Sequence, residues 1–174
     1  MDECIIKGWY NAVKVLGIID EDFVNYKKPS MVIEFPYCSL KCDIEYGQPI
    51  CQNSPLLLES VIDISCEKII ERYINNPITE AIVCQGMEPF DSMFDIITLL
   101  LTFRIKYNCK DDFVIYTGYT KEELVKNRET PQSLASFNNV IIKYGRYIPN
   151  QEPHYDPVLG VNLASDNQYA EKIS

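Results

Sequence analysis

A chain of 174 residues, 47% hydrophobic and 24% charged, is long enough for one sizeable core and reads as a single domain over residues 1–174. The net charge of −9 argues against a nucleic-acid surface, which needs Lys and Arg clustered against phosphates. No low-complexity tract, internal repeat or bilayer-length apolar stretch occurs, so the composition is that of a globular protein with no membrane role. Asp2 and Glu3 stand where a signal peptide would be basic, which makes a cytoplasmic location the expectation. Seven cysteines in a chain without an export signal favour ligation or burial over a disulfide framework.

The first thirty residues resist assignment: an apolar segment around Val13 to Ile19 gives way to charges before Pro29, which rules out a continuing helix. Met31 to Phe35, a short apolar run after a turn, predicts a buried strand ended by Pro36. Directly after it, Cys38, Cys42 and Cys51 fall within fourteen residues. Thiolates suit both iron–sulfur clusters and zinc. A structural zinc site normally has four ligands in paired spacings; no CxxC pair stands here, and Cys84, Cys109 or His154 would have to complete it. Three thiolates can instead grip three corners of a cuboidal 4Fe-4S cluster and leave its fourth iron without a protein ligand.

Ser65 to Asn75 puts Cys66, Ile69, Ile70, Tyr73 and Ile74 on one helical face, which makes Cys66 a core residue. Asn76 and Pro77 break that helix, and Glu80 to Cys84 reads as a second strand followed by a loop over Gln85 to Phe90. Asp91 to Lys106 is apolar enough for a buried helix capped by Asp91. Asp112 to Tyr116 is a third strand with Thr117-Gly118-Tyr119 turning out of it, and Thr120 with Glu123 forms a capping box for a helix to about Lys126. Thr130 before Pro131 marks another helix start. Val140 to Lys143 is a fourth strand, residues 144–157 an ordered proline-bearing loop, and 158–174 a polar tail. Cys84 and Cys109 read as buried or incidental, and His154 as a surface or packing residue.

Strand, loop and helix alternate, which predicts an α/β fold with an open parallel sheet and a site at the C-terminal ends of the strands. The cysteine loop, the Gly86 to Pro89 loop and the Thr117 to Tyr119 turn each follow a strand. All three should meet on one edge.

In this order the motifs resemble the radical S-adenosylmethionine (radical SAM) proteins, most closely the activating proteins of anaerobic ribonucleoside-triphosphate reductase. Three cysteines follow the first strand, the last succeeded by Gln52 and Asn53, and Gly86-Met87-Glu88-Pro89 matches that family's Gly-Gly-Glu/Asp-Pro loop. Tyr116 to Leu124 matches its Thr-Gly-Tyr turn and short helix. Tyr144-Gly145-Arg146-Tyr147-Ile148 matches a Gly-x-Phe segment, and Ser165-Asp166-Asn167-Gln168 a Ser-x-Asn-Gln element. The resemblance covers roughly residues 20–169. It departs from the family in three places. Eight residues separate Cys42 from Cys51 where the family usually has two, Ile50 replaces an aromatic residue, and Met87 replaces the second glycine. Eight residues reach about 25 Å if extended, so the loop must double back, with Tyr46-Gly47-Gln48-Pro49 as its turn material.

The resemblance implies an open parallel sheet or partial (βα) barrel of the radical SAM type, with Cys38, Cys42 and Cys51 ligating a 4Fe-4S cluster. It implies S-adenosylmethionine on the open iron, bordered by Gly86, Met87, Glu88, Thr117, Ile50 and Asn53. The activity implied is an oxidoreductase that cleaves S-adenosylmethionine reductively to a 5′-deoxyadenosyl radical. Its implied partners are a glycyl radical enzyme such as anaerobic ribonucleotide reductase and a low-potential electron donor such as flavodoxin or ferredoxin. Met87 and the long cysteine loop motivate an alternative of another class, a 4Fe-4S electron-transfer or binding protein that has lost the cleavage. A zinc-stabilised interaction module is the third reading.

Overall fold

The structure, a computed structural model, describes residues 11–126 and 131–174; the helix cap expected at Thr130 lies outside them. The described chain opens with β1 (Ala12–Val15) and β2 (Gly17–Asp22), followed by β3 (Ser30–Phe35) and a short helix α1 (Lys41–Tyr46). Strand β4 (Ile62–Ser65) pairs antiparallel with β1 and leads into α2 (Cys66–Ile74), whose first turn is capped by the Ser65 hydroxyl accepting from Lys68 N at 3.3 Å. Then come β5 (Ala81–Gly86), α3 (Met93–Leu101), β6 (Asp112–Tyr116), α4 (Lys121–Lys126), α5 (Pro131–Leu134) and β7 (Val140–Tyr144). The tail adds β8 (His154–Asp156), β9 (Val161–Leu163) and β10 (Tyr169–Lys172).

Six of these strands form one sheet in the order β10-β7-β6-β5-β3-β2. The four inner strands, β3, β5, β6 and β7, run parallel; β2 and β10 close the two edges antiparallel. The inner strands are nearly continuous apolar runs because both faces of the sheet are covered. On one face Ile33, Phe35, Cys84, Phe113 and Ile142 pack against Cys66, Ile69 and Ile70 of α2 and Ile96, Leu99 and Leu100 of α3. On the other, Val32, Val83, Val114 and Ile141 meet Tyr26 and the tail residues Leu159 and Leu163. Each fully buried aliphatic or aromatic side chain contributes about 1.5–3 kcal/mol, so the tail is part of the core rather than an appendage.

Local readings hold in some places and shift in others. The capping box forms, with Thr120 N donating to Glu123 Oε2 at 2.9 Å and Glu123 N to Thr120 Oγ1 at 3.2 Å. Cys66 is fully buried on the inner face of α2, but Ile74 turns out to solvent. The helix expected from Asp91 is a 3₁₀ turn over Pro89–Ser92, then α3, then a π-helical turn over Thr102–Lys106. The wider turn swings Arg104 inward, where it donates to the carbonyls of Cys109 (2.9 Å), Asp111 (2.8 Å) and Asn138 (3.1 Å), acceptors that sequence periodicity does not reveal. Among the described residues no helix is long and apolar enough to cross a membrane.

Candidate functional site

The chain leaves β3 through Pro36 and enters the cysteine loop. Leu40 adopts a left-handed backbone (φ 54°, ψ 32°) at the start of α1 and donates its amide to Cys38 Sγ at 3.2 Å. Cys42 follows inside α1. Asp43, next in sequence, closes the long insertion: its Oδ1 accepts the amides of Ile50 (2.8 Å) and Cys51 (2.9 Å). Gly47, at φ 79°, ends α1 and returns its N–H to the Asp43 carbonyl, a left-handed cap that suits glycine. One aspartate at the head of the insertion thus catches its far end, and Cys51 comes back beside Cys42. Asn53 then donates its side-chain amide to the Gly86 carbonyl, tying this loop to the next.

Gly86 ends β5 at φ 97°, where an added Cβ would lie 2.8 Å from Phe35 N and 2.9 Å from Glu34 Cα; no other residue type fits. Met87, the departure from a Gly-Gly pair, has an ordinary negative φ, so its side chain entails no backbone strain. Its amide donates to Phe35 O (2.9 Å) and that of Glu88 to Tyr37 O (2.8 Å), which extends the β3–β5 pairing into the loop. Glu88, only 6% exposed, accepts from Phe90 N (3.0 Å) and Thr117 Oγ1 (2.7 Å) on one oxygen and from Gly118 N (2.8 Å) on the other. It therefore joins the end of β5 to the turn after β6. Asp91 does not cap α3; it accepts from Ser39 N (2.7 Å) and Tyr119 OH (2.6 Å), bracing the cysteine loop from behind.

Burial dominates the electrostatics. It pushes the Cys38 thiol up to about 11, opposed by the Leu40 amide, and raises Cys42, with Cys51 adding to the rise and the Arg146 guanidinium and Tyr147 amide opposing it. Burial likewise lifts the Glu88 carboxyl to about 7 despite its three donors. It lowers the Lys143 ammonium to about 8, against the opposing fields of Glu88 and Cys42. Arg146 forks onto Glu123 at 2.7 and 2.8 Å and reaches Glu45 of α1 at 3.2 Å, clamping the cysteine helix to α4. The tail seals this side. Gln168 Nε2 donates to Gly145 O (3.2 Å) and Asn167 Nδ2 to Arg146 O (2.9 Å), the closing role its sequence allowed.

These loops enclose one cavity of about 370 Å³. Cys38, Cys42 and Cys51 border it together with Gly86, Met87, Glu88, Thr117 and Asn53. Ile50 stands outside the wall, engaged through its backbone to Asp43. Tyr116, Lys143 and the β9 residues Val161 and Asn162 also line the space, and sequence patterning did not single them out. For Lys143 a signal existed: a lysine inside the otherwise apolar run of β7. A broader, shallow hollow of about 620 Å³ lies on the other side of Cys38 but borders only that thiol of the three.

All six described cysteines are free thiols. Among the described residues no three His, Cys, Asp or Glu groups converge on a single-ion position, the arrangement a tetrahedral zinc with Zn–S of about 2.3 Å requires. Three soft donors spread around a shared cavity fit a multi-iron cluster, whose ligands sit on separate corners. His154, half-buried in β8, does not border that cavity.

Comparison with known proteins agrees with this donor set. A family model described as a 4Fe-4S single cluster domain matches residues 31–168. No curated protein and no solved structure matches the chain.

Proposed function

The chain belongs to the family of 4Fe-4S single cluster domains, and from that premise we propose that Cys38, Cys42 and Cys51 hold the cluster while the adjoining cavity takes S-adenosylmethionine for reductive cleavage. The observation that carries the reading is the convergence of three post-strand loops on a cavity of about 370 Å³ bordered by all three thiols. That volume lies within the roughly 300–1,000 Å³ of small-molecule sites. Cys38, Cys42 and Cys51 would hold the cluster, and the chemistry it would supply there is the single electron for reductive C–S cleavage of the sulfonium to methionine and a 5′-deoxyadenosyl radical.

The chain's own residues bind, orient and exclude water. A carboxylate offers about four acceptor positions, and Glu88 uses three of them on protein donors, leaving one for the ligand's ammonium. Its larger task is to hold the Thr117–Gly118 turn against the Gly86 loop. Gln168 and Asn167 keep the tail shut over Gly145 and Arg146. For the radical's target we propose a glycine on a partner, a glycyl radical enzyme of the anaerobic ribonucleotide reductase kind, with flavodoxin or ferredoxin as electron source. Ile44 lies inside the cysteine loop and Leu57 and Leu58 follow it in sequence; all three are exposed, Leu58 at 89%, apolar side chains suited to a protein surface.

The test is anaerobic reconstitution with iron and sulfide analysis of wild type and Cys51→Ala, followed by S-adenosylmethionine, dithionite and an assay for 5′-deoxyadenosine. About four irons per chain, lost in the variant, together with 5′-deoxyadenosine, is the expected result. A stable cluster with no cleavage would overturn the enzymatic reading and leave an electron-transfer or binding protein.

A further inference from the structure

The residue that closes the long insertion also carries a charge that the foregoing scheme leaves without a role. Asp43 follows Cys42 in sequence, is half-buried in α1, and accepts the amides of Ile50 (2.8 Å) and Cys51 (2.9 Å) on one oxygen. Its carboxylate thus stands against the backbone of two of the three thiols. Among the described residues it forms no ion pair. The two cations on this side are engaged elsewhere: Arg146 with Glu123, Glu45 and, through its field, Cys42; Lys41 with Glu123 at 4.0 Å and the Tyr119 ring at 4.4 Å. The backbone donors are divided as well. Leu40 and Tyr147 give their amides to the Cys38 and Cys42 thiols, whereas the Cys51 amide is committed to Asp43. Local charge and hydrogen bonds to the sulfurs are among the protein's controls on a cluster's reduction potential. Nearby N–H groups favour an added electron, and a nearby anion opposes it.

Resting on the reading that Cys38, Cys42 and Cys51 hold a 4Fe-4S cluster, we infer that Asp43 is a positioning residue with two separable roles. Its oxygen holds Cys51 where that thiol can ligate, and its negative charge keeps the reduction potential low, as electron transfer to a sulfonium requires. The two roles divide at the atoms. Asparagine keeps a side-chain oxygen for both amides and loses only the charge; alanine loses the oxygen and the charge together.

The experiment is anaerobic reconstitution of wild type, Asp43→Asn, Asp43→Ala and Cys51→Ala, with iron and sulfide analysis, a redox titration followed by electron paramagnetic resonance, and melting curves of the cluster-free chains. Asp43→Asn should keep the iron content of wild type and show a roughly tenfold higher ratio of reduced to oxidised cluster at a fixed solution potential, about 59 mV for a one-electron couple. Asp43→Ala should lose most of its iron while its cluster-free chain still melts cooperatively. An unchanged potential in Asp43→Asn would overturn the role of the charge, and full iron content in Asp43→Ala the role of the oxygen, each leaving the cluster assignment intact. Iron lost from Asp43→Asn as fully as from Asp43→Ala would overturn the separation of the two roles. A wild-type chain that binds no cluster, or a cluster that Cys51→Ala retains, would overturn the cluster assignment and this inference with it.

Discussion

Replacing Glu88 by glutamine removes a titration without removing the side chain's shape. Burial lifts the Glu88 carboxyl from 4.5 to about 7, and at about 1.4 kcal/mol per pH unit this gap amounts to about 3 kcal/mol. Below its unfolded value the group is protonated in both states and its titration has no effect. As pH rises, the unfolded chain ionises first while the folded carboxyl lags, so wild-type stability falls by about 3 kcal/mol and levels off above the folded value. The E88Q variant keeps an oxygen for Phe90 N and Thr117 Oγ1 but turns an NH₂ toward Gly118 N, a pH-independent penalty of about 1–3 kcal/mol. Urea unfolding of the cluster-free chains from about pH 4.5 to about pH 8 should therefore find E88Q weaker in acid, with the difference shrinking by about 3 kcal/mol toward the alkaline end. Parallel profiles would refute the argument, because they would mean that the buried carboxyl ionises as readily as an exposed one.

Gly86→Ala forces a Cβ to 2.8 Å from the Phe35 amide at a φ of 97°; a loss of about 3 kcal/mol or more is expected in chemical denaturation, with iron incorporation falling in parallel. Lys143→Met should stabilise the cluster-free chain by up to about 3 kcal/mol at neutral pH. The lysine's penalty is full below its folded value of about 8 and fades toward its ordinary 10.5, so the advantage should shrink to about 1 kcal/mol or less in unfolding curves taken at about pH 10. Arg146→Met unties α1 from α4 by removing the fork to Glu123 and the contact to Glu45; a loss of about 1–3 kcal/mol and faster amide exchange in α1 should follow, with exchange in β5 and β6 unaffected.

The inner sheet was legible because its strands are mostly apolar on both faces, so a short run such as Val140 to Lys143 announces itself without alternation. The edges were not. Residues of β2 alternate weakly around Asp20 and Asp22, and β4 is half-exposed, so neither offers the pattern that marks a half-buried strand. The tail read as polar because its apolar contributions, chiefly Leu159 and Leu163, are interspersed with Gly160 and Asn162 and acquire meaning only against the far face of the sheet. At the site, the thiols and the two post-strand loops were legible through residue type and order. The return of Cys51 was not, since the two amide bonds to Asp43 depend on a backbone path that spacing does not encode. Lys143 escaped notice because a charged residue near a strand end is ordinarily solvated.

The tail that seals the cavity also fixes when the cavity can exist. On the order of a hundred residues separate Cys51 from the Gln168 bonds that close the wall. At about 5–20 residues per second the three thiols emerge from the ribosome on the order of ten seconds before their enclosure can form. During that interval β10 has not yet covered the edge of β7, and Leu159 and Leu163 have not yet buried their face of the sheet. Completion of this pocket is therefore a late event in the chain's biogenesis, and the early-made cysteines spend that interval as unguarded nucleophiles, open to oxidation or to adventitious metal.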